Sequence, residues 1–196
     1  MNYLAHAYFS FGREHILVGN MISDFVKGKK KFDLPEGIQK GITLHRQIDQ
    51  FTDDHPATNE AKTLFRPAYR LYSGAVVDVL YDHYLANDKN AFPGESLAPF
   101  TRSVYETLQR NFNYLPERFK KMLPHMQLYD WLYNYISRWG IEKSLGGLVR
   151  RAAYLTDHTT AFEIFNSNYT QLQYCYDQFI KDLHPFVTAE LQRLEN

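Results

Sequence analysis

Apolar residues recur along most of the chain at three- and four-residue intervals, which is the spacing of an amphipathic helix, and the alternation typical of strands is scarce. The first 28 residues predict two short helices that are joined near Phe11–Gly12, and Gly28 ends this segment. Pro35 predicts the start of a helix that continues past His45 to about Thr52. The N-terminal part of the chain is therefore expected to be helical.

Proline and glycine divide the rest of the chain into further helices. The first expected elements are a helix from Pro56, an apolar helix over residues 75–86 and a helix from Ser96 to about Asn111. A helix from Pro116 follows, which Pro124 interrupts and which resumes over 127–138. The last two are a short helix punctuated by Gly140 and Gly146–Gly147, and one long helix over about 158–194. Neither an internal repeat nor a linker separates these elements. We therefore predict a single compact all-α domain over residues 1–196.

The composition narrows the class of protein. The 196 residues include 22 basic and 22 acidic side chains, and this formal net charge of zero argues against a general nucleic-acid binder. Aromatic residues make up 16% of the chain, which argues against intrinsic disorder. The single cysteine excludes an intramolecular disulfide and a cysteine-rich zinc site. Because the chain has no secretory leader and no apolar run of about 18 residues, we expect a cytoplasmic protein that does not enter a membrane.

Histidine and aspartate recur at helical spacing around residue 45. His45, Asp49 and Asp53 are four residues apart, so the three side chains share one face of the predicted helix. An imidazole beside carboxylates on one face is typical of a metal or acid–base site. The structural alternative is that Asp49 forms an ion pair with Arg46 or Lys40, and that Asp53 or Asp54 caps the helix that Pro56 begins.

A second polar set lies on the apolar helix over residues 75–86. Asp78 and Asp82 are four residues apart, and His83 follows directly. Carboxylates on an otherwise apolar helix cost free energy unless positive charge lies nearby. A divalent cation that is bound by imidazole and carboxylate from different helices meets this need. The alternative for Asp78 is a structural carboxylate that is bonded to backbone groups.

Two further segments contribute candidate residues for the same site. Asp24 borders an apolar stripe, and Asn2 and His6 are four residues apart at the N-terminus. A lone histidine such as His6 is more often a hydrogen-bonded core residue than a ligand. A basic run follows Asp24, and it forms either ordinary solvated surface or a positive rim that attracts an anionic substrate or an acidic protein. Its members are Lys27, Lys29, Lys30 and Lys31.

Together these segments resemble the acyl carrier protein phosphodiesterase family. Four linked motifs carry the resemblance in the family's order, over residues 2–6, 19–28, 41–53 and 78–85. The resemblance implies an all-α helical bundle that is distantly related to the HD-domain metal phosphohydrolases, and a divalent metal, for which manganese is expected. It also implies hydrolysis of the phosphodiester that joins 4′-phosphopantetheine to a serine of holo-acyl carrier protein, giving the apo-carrier.

No His-Asp dipeptide occurs in the chain, so the HD ligand pattern is not transferred position by position, and site residues are assigned from their local chemistry. The residues expected to bind the metal are Asp24, His45, Asp82 and His83. Those expected to support or replace these ligands are His6, Asp78 and Asp53. Those expected to act on the substrate are Asp49, as a proton shuttle, and Arg46 and Lys27, as cations that face the phosphoryl oxygens. Those expected to contact an acidic carrier protein are Lys29, Lys30 and Lys31.

Three other functions stay open from the sequence. A related phosphohydrolase would act on a nucleotide or another small phosphate ester, without any protein partner. A non-catalytic helical protein would use its aspartates and histidines only for buried hydrogen bonds. A carrier of hydrophobic ligands would have an apolar cavity and no convergent carboxylates.

Overall fold

Helices and the turns between them account for the whole chain in a computed structural model that describes residues 1–196. The α-helices are α1 (Tyr3–Tyr8), α2 (Glu14–Ile22), α3 (Glu36–Asp54), α4 (Pro56–Tyr69), α5 (Ser73–Ala86), α6 (Leu97–Arg110), α7 (Glu117–Leu128), α8 (Trp131–Asn134), α9 (Arg138–Arg151), α10 (Thr159–Ser167) and α11 (Tyr169–Glu195). Short 3₁₀ turns cover Ser23–Phe25, Gly28–Asp33, Arg70–Tyr72 and Phe112–Tyr114. No strand is present, so the prediction of an all-α fold is confirmed.

In the N-terminal half the helix boundaries follow the sequence signals. Phe11 and Gly12 have φ angles of 49° and 72°, and this left-handed turn separates α1 from α2. Pro35 directly precedes α3, and Pro56 occupies the first turn of α4, where its missing N–H would have had no helical partner. The predicted starts of α3 and α4 are confirmed.

The α7–α9 region differs from the prediction. Pro124 lies inside α7 without ending it, and α7 stops at Leu128 instead of continuing to 138. Asp130, with a φ of 40°, then reverses the chain into the short helix α8. The expected punctuation at Gly140 is also wrong, because α9 runs through it. A Cβ at this position would lie 1.9 Å from the carbonyl oxygen of Asn134, so the glycine permits a close approach.

The predicted long C-terminal helix is divided in two. α10 ends at Ser167, and α11 begins at Tyr169. Asn168 lies between them, and its side-chain amide donates a hydrogen bond to the carbonyl of Ile164, at 2.8 Å. The backbone N–H of Asn168 donates to the same carbonyl at 3.0 Å. Asparagine side chains compete locally for helix carbonyls in this way, so an asparagine can interrupt a helix that the aromatic periodicity alone predicts to be continuous.

One hydrophobic core of 49 buried residues contains side chains from all of the α-helices, as expected for a single domain. α5 runs through this core, and apolar side chains from Val76 to Leu85 are buried around most of its circumference. Polar side chains on α5 must therefore find partners inside the protein. No helix has both the length and the apolar character that crossing a lipid bilayer requires.

The closest helix contact joins α2 and α3 through two glycines. A Cβ at Gly19 would lie 2.2 Å from the carbonyl oxygen of Ile38, and a Cβ at Gly41 would lie 2.3 Å from that of Ile16. Side chains at these positions would force the two backbones apart. The glycines therefore fix α3 directly against α2, and this contact positions the polar residues that follow Gly19 and Gly41.

Candidate metal centre

A buried carboxylate on α5 anchors the start of α1. Asp82 accepts hydrogen bonds from the backbone N–H groups of Asn2 at 3.3 Å, Leu4 at 2.7 Å and Ala5 at 3.2 Å. The first turn of a helix leaves such N–H groups without helical partners. Burial raises the pKa of Asp82 to about 7, although the three N–H groups oppose this shift. Asp82 thus fixes α1, which carries His6, against α5.

The contact between α2 and α3 orients His45. Its Nδ1 lies 2.8 Å from the backbone carbonyl oxygen of Asn20, the residue after Gly19. A carbonyl only accepts hydrogen bonds, so Nδ1 carries a proton. In the neutral ring the lone pair is therefore on Nε2. A backbone carbonyl that fixes the tautomer in this way is the usual partner of a metal-binding histidine.

Four side chains converge beyond His45 Nε2. The rings of His6 and His45 stack with their centroids 3.8 Å apart and an interplanar angle of 18°. The two oxygens of Asp49 lie 3.2 Å from His6 Nε2 and 3.1 Å from His45 Nε2. Asp24 Oδ1 lies 3.3 Å from His45 Nε2 on the solvent side. We refer to His6, His45, Asp49 and Asp24 as the histidine–aspartate cluster.

Three of the four ring nitrogens of the cluster lack hydrogen bonds. Both nitrogens of His6 and Nε2 of His45 are buried without a partner in hydrogen-bond geometry, although carboxylate oxygens lie close to both Nε2 atoms. One ligand atom from each of His6, His45 and Asp49 lies within 4.8 Å of the other two. Leaving a buried polar atom unsatisfied costs about 1–3 kcal/mol. Imidazole nitrogen and carboxylate oxygen suit a divalent transition metal, so these residues fit a metal ion.

The charges in the cluster also favour a cation. Burial would keep His45 neutral, but the nearby Asp24 and Asp49 carboxylates raise its pKa to about 9. Burial, together with the neighbouring His45, lowers the pKa of His6 to about 4. Despite burial, contacts with His45 and His6 hold the pKa of Asp49 well below its usual range. The carboxylates therefore stay ionised and require positive charge, which a proton or a divalent cation can supply.

Asp78 and Asp53 lie beside the cluster and have other partners. The Met1 amino group lies 2.9 Å from Asp78 Oδ1 and 3.6 Å from Asp49 Oδ1. Asp78 is therefore neutralised by a cation of the protein itself, and it joins the cluster only through that amine. Asp53 Oδ1 lies 2.7 Å from Lys62 Nζ on α4. Asp53 thus links α3 to α4, and its predicted role as a ligand finds no support in this contact.

His83 is engaged elsewhere in the core. Its Nδ1 lies 2.7 Å from the carbonyl oxygen of Tyr135, and its Nε2 lies 3.0 Å from the hydroxyl of Tyr169. Neither nitrogen is free to bind a metal that His45 also binds. The expectation that Asp82 and His83 complete the ligand set is therefore corrected: both residues follow the apolar face of α5 into the core, where they satisfy backbone and hydroxyl groups.

The predicted basic residues lie near the cluster along the chain. The Arg46 guanidinium donates to the carbonyl of Val26 at 3.3 Å, and so connects α3 to the segment that follows Asp24. Lys27 is exposed directly before the 3₁₀ turn Gly28–Asp33. That turn carries Lys29, Lys30 and Lys31, none of which forms an ion pair.

Sequence reasoning missed two parts of this centre. Backbone groups carry no signal of their own in a sequence, so the carbonyl of Asn20 and the Met1 amine were not foreseen. The glycines Gly19 and Gly41 are the sequence signal for the Asn20 carbonyl, because two glycines on neighbouring helices allow the backbones to approach closely. The stacking of His6 on His45 depends on Asp82 and could not be inferred from spacing.

Comparisons with known proteins give one consistent result. A family model described as acyl carrier protein phosphodiesterase matches residues 1–183. A relative of that name from Photorhabdus laumondii is 29% identical over 180 residues, which cover 91% of each chain. A relative of the same name from Yersinia pestis is 30% identical, and the match covers 88% of this chain and 90% of the relative. Another, from Shigella boydii, is also 30% identical, and the match covers 91% of this chain and 93% of the relative. No solved structure matches the chain.

Proposed function

The chain belongs to the acyl carrier protein phosphodiesterase family, and on this premise we propose that it removes 4′-phosphopantetheine from holo-acyl carrier protein by metal-dependent hydrolysis. The products are apo-carrier protein and free 4′-phosphopantetheine. The observation that carries the proposal is the convergence of two imidazoles and an ionised carboxylate, whose ligand atoms lie within 4.8 Å of one another and whose ring nitrogens, apart from His45 Nδ1, have no hydrogen bond. A helical scaffold that used these residues only for internal hydrogen bonds would not leave three buried ring nitrogens without one.

In this proposal His6, His45 and Asp49 bind a divalent metal, with Asp24 as a fourth ligand at the exposed edge. A bound divalent cation would withdraw charge from the phosphoryl oxygens and make a water molecule more acidic. Asp49 acts as a ligand and not as a proton shuttle, because its two oxygens face two different imidazoles. Manganese is the metal we expect, and the donor set of nitrogen and oxygen atoms is compatible with it.

The other residues hold the cluster and the substrate. The carbonyl of Asn20 keeps the His45 Nε2 lone pair directed into the cluster, and Asp82 keeps α1 and its His6 in place. Arg46 and Lys27 are the proposed cations beside the phosphoryl group, because each is close in sequence to a cluster residue. Hydrolysis adds the hydroxyl of water to phosphorus and a proton to the departing serine oxygen of the carrier.

The carrier protein is proposed to dock on the lysines of the 3₁₀ turn Gly28–Asp33. Lys29 and Lys30 are exposed, Lys31 is half-buried, and no carboxylate of this protein pairs with any of the three. Free lysines that follow Asp24 closely along the chain would attract an acidic partner and speed its encounter. Replacing all three with glutamine should raise KM at low salt and weaken its salt dependence.

The test is the intact mass of holo-acyl carrier protein after incubation with this protein and manganese. We expect the carrier to lose the mass of its prosthetic group, and a chelator to prevent the loss. The His45→Ala variant should be inactive, and the matched control His15→Ala, which changes an exposed histidine, should remain active. An unchanged carrier mass across manganese, magnesium, zinc and iron would contradict the proposal, and hydrolysis of small phosphate esters alone would favour a different phosphohydrolase.

A further inference from the structure

A cavity of about 440 Å³ lies between the start of α1, the α7–α8 region and α9. This volume falls within the range of roughly 300–1,000 Å³ that is usual for small-molecule sites. Asn2 and Tyr3 form one wall, and Lys143, Arg150 and Arg151 of α9 contribute to another. None of the predicted catalytic or metal-binding residues lines the cavity, so it needs an explanation of its own.

The charged residues of the cavity are all basic. Lys143, Arg150 and Arg151 line it together with His125, and no aspartate or glutamate does. None of the lysine and arginine side chains forms an ion pair within the protein. Cations that converge on a concave surface without carboxylate partners from the protein favour an anionic ligand.

The remaining lining is aromatic and amide-rich. Trp131, Trp139 and Tyr135 supply flat apolar surfaces, and Asn134 and Ser144 supply groups that can hydrogen-bond. Trp139 is 56% exposed, so one side of its ring is open to solvent. These groups suit the body of a ligand that is narrow, uncharged and contains amides, with its negative charge at one end.

The cavity adjoins the histidine–aspartate cluster through the first residues of the chain. Asn2 lines the cavity, and the preceding Met1 amino group lies 3.6 Å from Asp49. Burial raises the pKa of Tyr3 to about 12, while Arg151 opposes this shift and Asp24 adds to it. The Tyr3 hydroxyl is thus within electrostatic reach of both the cavity arginine and the cluster carboxylate.

We propose that this cavity binds the pantetheine arm of the substrate, with Arg151 next to the phosphate end and the amide-containing chain along Trp131 and Trp139. The inference rests on the proposed function, because that function supplies a ligand with a phosphate at one end of an uncharged amide chain. The phosphate end then lies beside Arg151 and Tyr3, on the side of the cavity that adjoins the cluster, and the uncharged chain extends away from the cluster.

The chain provides its own probe for this test. Trp131 and Trp139 are the two tryptophans of the protein, and both line the cavity, so intrinsic fluorescence reports directly on its occupancy. The full-length protein is titrated in the presence of a chelator with 4′-phosphopantetheine, pantetheine or inorganic phosphate. We expect a saturable fluorescence change with 4′-phosphopantetheine and no change with phosphate alone. Pantetheine should bind about tenfold more weakly than 4′-phosphopantetheine, because it lacks the charged contact, which contributes about 1.4 kcal/mol or more.

Variants separate the two ends of the ligand. Arg151→Gln should reduce the affinity for 4′-phosphopantetheine about tenfold and leave the binding of pantetheine unchanged. Trp139→Ala should weaken both about tenfold, and Trp139→Phe should restore most of the affinity because the aromatic surface is kept. Arg66→Gln, which removes an exposed arginine on α4 that forms no ion pair, serves as the matched control and should change neither. Circular dichroism checks that each variant is folded.

The outcomes distinguish this inference from the proposed function. If holo-carrier is hydrolysed but 4′-phosphopantetheine produces no saturable change, or if Arg151→Gln and Trp139→Ala bind it as the wild type does, the cavity does not bind the arm. If the expected binding pattern appears but no holo-carrier is cleaved under any metal, the cavity assignment is supported and the proposed activity is contradicted.

Discussion

Two sets of histidine and aspartate in this protein look alike in the sequence and differ in the structure. His6, His45 and Asp49 form the inner part of the histidine–aspartate cluster, and Asp82 and His83 lie on α5. In the cluster, three ring nitrogens have no hydrogen-bond partner. On α5, Asp82 accepts three backbone N–H groups, and both nitrogens of His83 are engaged.

The difference teaches how to separate a ligand site from internal support. Burial of a polar side chain costs free energy, and a structural residue recovers it by hydrogen-bonding within the protein. Asp82 and His83 do so completely. The cluster does not, and one ligand atom from each of His6, His45 and Asp49 lies within 4.8 Å of the other two, as binding to one ion requires. Unsatisfied and convergent groups thus indicate function, whereas satisfied ones indicate architecture.

The largest effect is expected from His45→Ala. Under the proposed function this variant loses a metal ligand, and activity on holo-carrier should fall about a thousandfold or more, because the charge stabilisation in the site is lost. The free energy of unfolding should fall by about 1–3 kcal/mol, since the Asn20 carbonyl loses its hydrogen-bond donor and two carboxylates lose a charged neighbour, so the variant is assayed after circular dichroism shows that it is folded. Carrier intact mass and thermal denaturation measure the two quantities. An active His45→Ala variant would remove the basis for treating the cluster as the catalytic centre.

The Asp82→Ala substitution should act mainly on the stability of the fold, and not directly on the cluster. It leaves the N–H groups of Asn2, Leu4 and Ala5 buried without their acceptor, and we expect a loss of about 2–4 kcal/mol in the free energy of unfolding. Chemical denaturation measures it. Asp54→Ala is the matched control, because it removes only the hydrogen bond that Gln50 donates to the side chain of an exposed aspartate, and it should cost less than about 1 kcal/mol. Equal losses in the two variants would contradict the anchoring role of Asp82.

Metal addition tests the comparison without any assay of activity. At about 100 times its Kd, manganese should stabilise the wild-type protein by about 2.7 kcal/mol, because it binds the folded cluster. The same addition should leave the stability of His45→Ala unchanged, and a chelator should reverse the stabilisation in the wild type. Thermal denaturation at several manganese concentrations measures this. Equal stabilisation of both proteins would place the metal outside the cluster.

The smallest effect is expected from His83→Gln. Glutamine keeps a donor and an acceptor but cannot reach both Tyr135 and Tyr169 with the geometry of a ring, so the free energy of unfolding should fall by about 1–2 kcal/mol. Metal content, measured by mass spectrometry of the purified protein, should equal that of the wild type. Loss of metal from this variant would reverse the comparison and restore His83 as a ligand.

The contrast also shows how much of the site can be predicted from the sequence. His6, His45, Asp49 and Asp24 all stood out from their spacing or from the apolar residues beside them. The sequence did not separate the proposed ligands from the supporting residues. That separation depends on which side chains or backbone groups each residue contacts, and these partners are distant in the sequence. His83 follows Asp82 in sequence, but consecutive helical residues point about 100° apart, and only the neighbouring helices decide what each one contacts.

The helices show the same division between local and distant causes. The turn at Phe11–Gly12 and the starts of α3 and α4 depend on residues next to them, so they were predicted correctly. The course of α7 to α9 was not. The sequence does not distinguish a glycine that ends a helix from a glycine that allows a helix to approach another backbone closely. Gly140 allows such an approach.

The sequence by itself determined the all-α fold, the family and the residues from which the cluster is built, because periodicity and short motifs are properties of neighbouring positions. The tertiary structure decided which of those residues remain unpaired and which are absorbed into the core. It also decided that two tryptophans and a group of basic residues, unremarkable along the chain, line one cavity beside the cluster. Hydrogen-bond satisfaction is a property of three-dimensional neighbours, so no one-dimensional pattern could have assigned it.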